Sequence, residues 1–239
     1  MTVDSSAAEN KNQNLRPAPK ISIFKLLESP SKVRLETLSD AIFAVAMTIL
    51  VLDLKVPVLP QDATSHHLWA ALVALWPKIG AFIISFLFLA KTWDVHRLIF
   101  HAVNRVNYSF SVLNLMLLMA CCLLPFSTSL ISEHSQLTIA AWIYIANMIS
   151  LPILNYLLWE YATRRRRLAR SDVSPAVIDW FNSNHRVVIE VYAVAFPIAY
   201  FSSALSVLLI FIFQVVMHVM PFFSERLTGD STEGITGET

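Results

Sequence analysis

Arg34-Leu-Glu-Thr-Leu-Ser-Asp40-Ala-Ile-Phe-Ala-Val-Ala-Met-Thr-Ile-Leu-Val-Leu-Asp53 is the stretch whose reading decides the fold. A mixed, mostly polar opening runs straight into an apolar segment long enough to form the core of a membrane span. An arginine, a serine and an aspartate at the edge of such a span are costly unless partnered, so they mark a functional or architectural position. The remaining apolar segments read as scaffolding around this one.

The whole chain supports a membrane reading. Of its 239 residues 56% are hydrophobic and only 15% charged, with a mean hydropathy of +0.57. A soluble domain carries about a quarter charged residues. The net charge of +1 gives no footprint for nucleic acid. Cys121 and Cys122 are adjacent in an apolar run, with neither disulfide nor metal-ligand spacing. Residues 1–20 are polar and lack the apolar core of a signal peptide, so the first span is expected to direct insertion.

Taken in order, residues 1–30 read as a disordered, juxtamembrane tail, 31–223 as a membrane domain and 224–239 as a disordered tail. Span one is expected over 32–54, ended by Pro57 and Pro60. Span two is expected over 77–97, with 68–76 as a helical extension and Pro77 in its first turn. Span three covers 106–124, closed by Pro125, and span four covers 137–158. A polar loop then reaches His185. The apolar run 187–223 exceeds one crossing of about 20 residues, and divides near Phe201-Ser202-Ser203. The fold class is therefore all-α: a polytopic membrane protein of six transmembrane helices.

Charge orients it. Lys20, Lys25, Lys32 and Arg34 precede or open span one. Lys91, Arg97 and Arg105 cluster around the loop between spans two and three, Arg164 to Arg167, Arg170 and Arg186 lie between spans four and five, and Arg226 follows span six. Only Lys55 and Lys78 lie opposite. Basic residues favour the cytoplasmic side, so both termini are expected there. The Arg164 run also reads as a contact for anionic headgroups of membrane lipids.

No catalytic motif, P-loop or metal-ligand cluster stands in the chain, and no cofactor or enzyme activity is expected. With four glycines, of which Gly80 alone lies in the membrane region, a carbonyl selectivity filter is absent. Any ion path must be lined by side chains. Stepping about 100° per residue from Asp40 puts Val45 at about 140°, Thr48 at about 80°, Ile49 at about 180° and Leu52 at about 120°. These four share a stripe facing away from Asp40, which is expected to point into its own bundle. Lipid contact or ordinary packing explains such a stripe equally well.

The pattern Arg34-x-x-x-Leu38-Ser39-Asp40 followed by Ala-Ile-Phe-Ala-Val-Ala-Met-Thr resembles the Arg-x-x-x-Phe-Ser-Asp signature of the transmembrane protein 175 family of lysosomal and bacterial potassium channels. Leu75-Trp-Pro-Lys78, Trp93-x-x-His96 before Arg97-Leu98, Asn114 and Leu123-Leu-Pro-Phe126 extend the resemblance across residues 34–126. It departs at Leu38, at Ala41 where a glycine is common, and at Arg97 where a second histidine is usual.

The resemblance implies a homotetramer in the cell (plasma) membrane, passing potassium and, with weaker selectivity, sodium and protons. Span one would line the pore, with a hydrophobic constriction at Val45 followed by Thr48, Ile49 and Leu52. Asp53 would stand at the outer mouth as a cation attractor, or as a solvated helix end. Arg34, Ser39 and Asp40 would join Trp93, His96 and Asn114 in a structural polar network. The competing reading is a proton- or ion-coupled secondary transporter using Asp40 and His96 as a relay; a non-conducting scaffold is the third.

Overall fold

The computed structural model describes residues 31–164 and 168–217, so the two tails and most of the Arg164–Arg167 run lie outside the described residues. Among the described residues the secondary structure is helical apart from one antiparallel bridge, Val103 with Ala169. The helices are α1 (Lys32–Ile49, extended by a 3-10 turn, Leu50–Asp53), α2 (Ser65–Ala74), α3 (Trp76–Ala102), α4 (Tyr108–Glu133), α5 (Thr138–Thr163), α6 (Pro175–Phe201) and α7 (Ser203–Met217).

Among the described residues four segments are long and apolar enough to cross a membrane: Lys32–Asp53, Trp76–Ala102, Tyr108–Glu133 and Thr138–Thr163. The chain is therefore a multi-pass integral membrane protein. Helix α6 has the length, but its first sixteen residues carry Asp179, Asn182, Asn184, His185, Arg186 and Glu190. The described part of α7 is apolar and shorter. The expected division is where the backbone breaks: Ser202 is extended, and its hydroxyl accepts from Leu205 N at 3.2 Å to start α7.

Three expected boundaries are corrected. Residues 68–76 do not extend the second span; α2 is a separate helix, started by a reciprocal pair in which Thr64 N donates to His67 Nδ1 at 3.1 Å. Pro125 does not close the third span, because α4 continues to Glu133. A proline removes one ladder donor, yet membrane helices tolerate it where serine and threonine hydroxyls satisfy nearby carbonyls. The carbonyl that Pro125 frees is Cys121 O, four residues back; Ser127 Oγ and Thr128 Oγ1 donate to Leu124 O, the carbonyl just before the ring, at 3.1 and 2.8 Å. The loop thought to reach His185 ends at Ser174, which accepts from Val177 N at 3.3 Å ahead of Pro175 at the first helical position.

The core runs along α4, which packs against both α1 and α5, with α5 in turn against α6. Phe43, Phe100, Phe110, Tyr144, Trp159 and Tyr192 are all fully buried in it. Tyr144 OH lies 2.9 Å from Ser85 Oγ, and Thr128 Oγ1 lies 2.8 Å from the same atom, so one hydroxyl cluster ties α3, α4 and α5. At one end Lys32 Nζ donates to Val103 O at 2.8 Å, while Asn104 N and Arg170 N bond Leu168 O and Ala102 O, both at 2.9 Å. This places the start of α1, the α3–α4 loop and the α5–α6 loop on one side. Beside them Arg170 grips Asp172 with two bonds of 3.1 and 2.8 Å, and those bonds hold the Asp172 carboxyl below its usual range. At the other end Lys78 pairs with Glu133 at 3.1 Å.

Candidate functional site

Helix α1 divides cleanly by burial. Leu35, Ser39, Phe43, Ala46 and Leu50 are buried, at spacings of four, four, three and four, which is one helical face. Ser39, not Asp40, therefore points to the core. Asp40 lies at the flank, about 100° round the helix, where Trp93 Nε1 donates to its Oδ1 at 2.8 Å. The opposite face is open: Val45 is 55%, Ile49 43% and Leu52 70% exposed, and Thr48 is exposed with them. Among the described residues of a single chain nothing covers this stripe of side chains.

Behind the stripe lies a continuous hydrogen-bonded string. Ser39 Oγ donates to Leu35 O at 2.8 Å, the ordinary back-bond of a helical serine. Its lone pair accepts from Asn114 Nδ2 at 3.0 Å, which leaves Asn114 Oδ1 as an acceptor for His96 Nε2 at 2.7 Å. With the Asn114 amide set this way the ring is the donor: His96 carries its proton on Nε2, and the string runs His96 to Asn114 to Ser39 to the α1 backbone. All three side chains are at least 99% buried, so no water substitutes for a lost partner. Phe43 and Phe100 flank the imidazole, with ring centroids at 5.4 and 4.5 Å.

The string joins α1, α3 and α4; of the six residues expected in the network, Ser39, His96 and Asn114 form it, and Asp40 with Trp93 form a neighbouring pair. Arg97 sits 5.2 Å over the Trp93 ring and bonds Asp94 at 3.1 Å, so a cation stacks on the indole that holds Asp40. Arg34 is exposed, and no hydrogen bond or ion pair to it is found among the described residues.

Two further features were missed from sequence. Asp53 is not a free helix end: Ser129 Oγ and Ser132 Oγ donate to its two oxygens at 2.7 and 2.9 Å. The spacing Ser129-x-x-Ser132 puts both hydroxyls on one face of α4, a signal visible only once α4 is known to pass Pro125. Thr48 Oγ1 donates to Val45 O at 2.8 Å, which leaves its lone pairs as the group it can offer outward. Among the described residues no group of three His, Cys, Asp or Glu side chains stands close enough to hold a metal.

The comparisons with known proteins fall on this same architecture. Residues 34–125 match the family described as the endosomal/lysosomal potassium channel TMEM175. A potassium channel of Chamaesiphon minutus is 32% identical over 196 residues, 80% of this chain and 96% of that protein. The crystal structure of a lysosomal potassium-selective channel TMEM175 homologue from Chamaesiphon minutus superposes with a TM-score of 0.69 at 31% identity, covering 79% of this chain and 97% of that one. The endosomal/lysosomal proton channel TMEM175 of Danio rerio is 22% identical over 87% of this chain and 40% of its own length. With its matched signature and a relative aligned over nearly its full length, the chain belongs to the TMEM175 family.

Proposed function

We propose that four copies of the chain form a cation channel that favours potassium and also passes protons, with the exposed face of α1 lining a shared axis. The observation that carries this reading is the uncovered stripe Val45, Thr48, Ile49 and Leu52 on a helix held from behind by the His96–Asn114–Ser39 string. Closed rotational symmetry gives such a stripe a partner in its own copies. Relatives bearing the names potassium channel and proton channel support the ion assignment.

Four Val45 side chains would form an apolar ring without fixed ligands. Discrimination then comes from dehydration, which costs less for potassium than for sodium, and conduction from wetting of the ring. Thr48 would place hydroxyl oxygens beside the ring, and Asp53, held by its two serines, would keep a carboxylate near the outer mouth.

Helices α6 and α7 complete six spans in this reading, and the basic side marked by Lys32, Arg97, Arg105 and Arg170 faces the cytoplasm. The plasma membrane is the proposed location, with membrane lipids around the bundle. A coupled transporter is less well supported. Asp40 is spent on Trp93 and His96 on Asn114, with no hydrogen bond between the two to carry a relay.

Purified protein in planar bilayers tests the reading. Single-channel currents with a reversal potential displaced toward potassium are expected under paired potassium and sodium solutions, together with a tetramer by native mass spectrometry. A stable monomer or dimer in several mild detergents, or an intact tetramer silent in both ions, sinks it.

A further inference from the structure

Away from the α1 face, a cavity of about 50 Å³ opens between α3, α5, α6 and α7, lined by Lys91, Thr92, Asn155, Asn184, His185 and Gln214 on its polar side. Two of these groups lack what they need. Asn155 is 1% exposed; its Nδ2 donates to Thr92 O at 3.4 Å, and its Oδ1 is buried with no partner. Turning the amide over would set one carbonyl oxygen against another, so the orphan is an acceptor. Lys91 makes no hydrogen bond or ion pair among the described residues. His185 has its Nδ1 at the Phe181 carbonyl, 3.1 Å away.

An unpartnered ammonium on a membrane helix is costly and marks a site by default. Depth narrows the choice of ligand. Fifteen residues separate Trp76 from Lys91, about 22 Å of helix at 1.5 Å per residue. Against about 30 Å of hydrocarbon, with the Trp76 indole at the outer border, the Lys91 backbone lies about 8 Å short of the inner border, and its four-carbon stem carries the ammonium toward the inner headgroups. The remaining lining, Phe88, Val188 and Phe213 among it, is apolar, which suits an acyl chain beside a polar head.

We propose that this cavity receives the phosphate of an inner-leaflet lipid headgroup, with Lys91 as its cation and Asn155 Oδ1 accepting a hydrogen from a headgroup hydroxyl or ammonium. A lysine binds phosphate as a point charge, and the orphan acceptor calls for a donor, which a headgroup hydroxyl or ammonium supplies beside the phosphodiester. The space holds a small polar group, or about three waters. The inference rests on the membrane orientation proposed above but not on ion conduction, and its test reads lipid rather than current.

Native mass spectrometry of the full chain, purified in mild detergent and titrated with phosphatidylglycerol, is expected to retain up to one lipid per subunit. Lys91→Met should lower the retained fraction at least fivefold and Lys91→Arg should preserve it. Asn155→Leu serves as the second variant, since it removes an unpartnered atom and costs only one long hydrogen bond. It should lose lipid while melting near the parent temperature. Arg170→Gln, a basic group already paired outside the cavity, should change nothing. Equal retention by the parent, Lys91→Met and Asn155→Leu overturns the proposal, as does a parent that retains none. A melting temperature raised by millimolar inorganic phosphate but not by phosphatidylglycerol overturns it in favour of a free anion.

Discussion

Asn114→Leu should strip the bundle of much of its stability and lower the yield of folded oligomer several-fold. The side chain is fully buried and serves two partners at once, Ser39 at 3.0 Å and His96 at 2.7 Å. The two losses are unequal. Ser39 keeps its bond to Leu35 O, so its oxygen merely loses a donor. That is worth about 0.6 kcal/mol, the average for side-chain bonds between membrane helices. His96 loses the acceptor for its Nε2 proton between two phenylalanine rings, and a buried donor left unsatisfied costs about 1–3 kcal/mol. The sum, about 2–4 kcal/mol, is a large share of a marginal stability.

Asp40→Asn is the informative control. An asparagine oxygen still accepts from Trp93 Nε1, at a flank position rather than in the core, so melting should move little. Thermal unfolding of the purified variants, followed by retention of the oligomer on size exclusion, measures both. An Asn114→Leu protein that melts with the parent would mean the string contributes nothing that packing does not.

The contrast between Ser39 and Asp40 shows what the sequence carries and what it hides. Periodicity sets Val45, Thr48, Ile49 and Leu52 on one stripe, and all four are exposed, because the angle between positions depends only on helix geometry. Where the core side is centred depends on the neighbours. A serine that can back-bond to its own helix is cheaper to bury than an aspartate, so Ser39 went in and Asp40 stayed at the edge. Pro125 misled for a similar reason: in water a proline commonly ends a helix, but membrane helices tolerate one in their interior, and α4 runs through it to Glu133.

Ser174-Pro175 is a legible helix start that the polarity of residues 179–190 concealed, since a polar helix end projecting from a membrane looks like a loop by hydropathy. Ser202 was legible because the apolar run was too long for one span and contained its own cap. Lys91, Asn155 and His185 are scattered across three helices, and no spacing within the chain brings them together.

Val45→Asn should raise single-channel conductance several-fold and shift the reversal potential under paired potassium and sodium solutions toward zero selectivity. Val45 is 55% exposed on a face that its own bundle leaves uncovered, and both flanking positions on that face, Thr48 and Ile49, are exposed with it. In the proposed tetramer its four copies meet at the axis. A dry apolar ring imposes the dehydration cost that separates the two ions; an amide ring admits water and removes that cost for both. Val45→Ser should act in the same direction. Ile49→Asn and Leu52→Asn, about one and two turns outward, should have smaller effects. Because Val45 is exposed, about 120° round α1 from Ser39, and makes none of the bonds of the His96–Asn114–Ser39 string, the variant should assemble and melt like the parent, which separates loss of selectivity from loss of fold. Unchanged conductance and reversal potential in a Val45→Asn protein that runs as an intact tetramer would move the constriction off this residue.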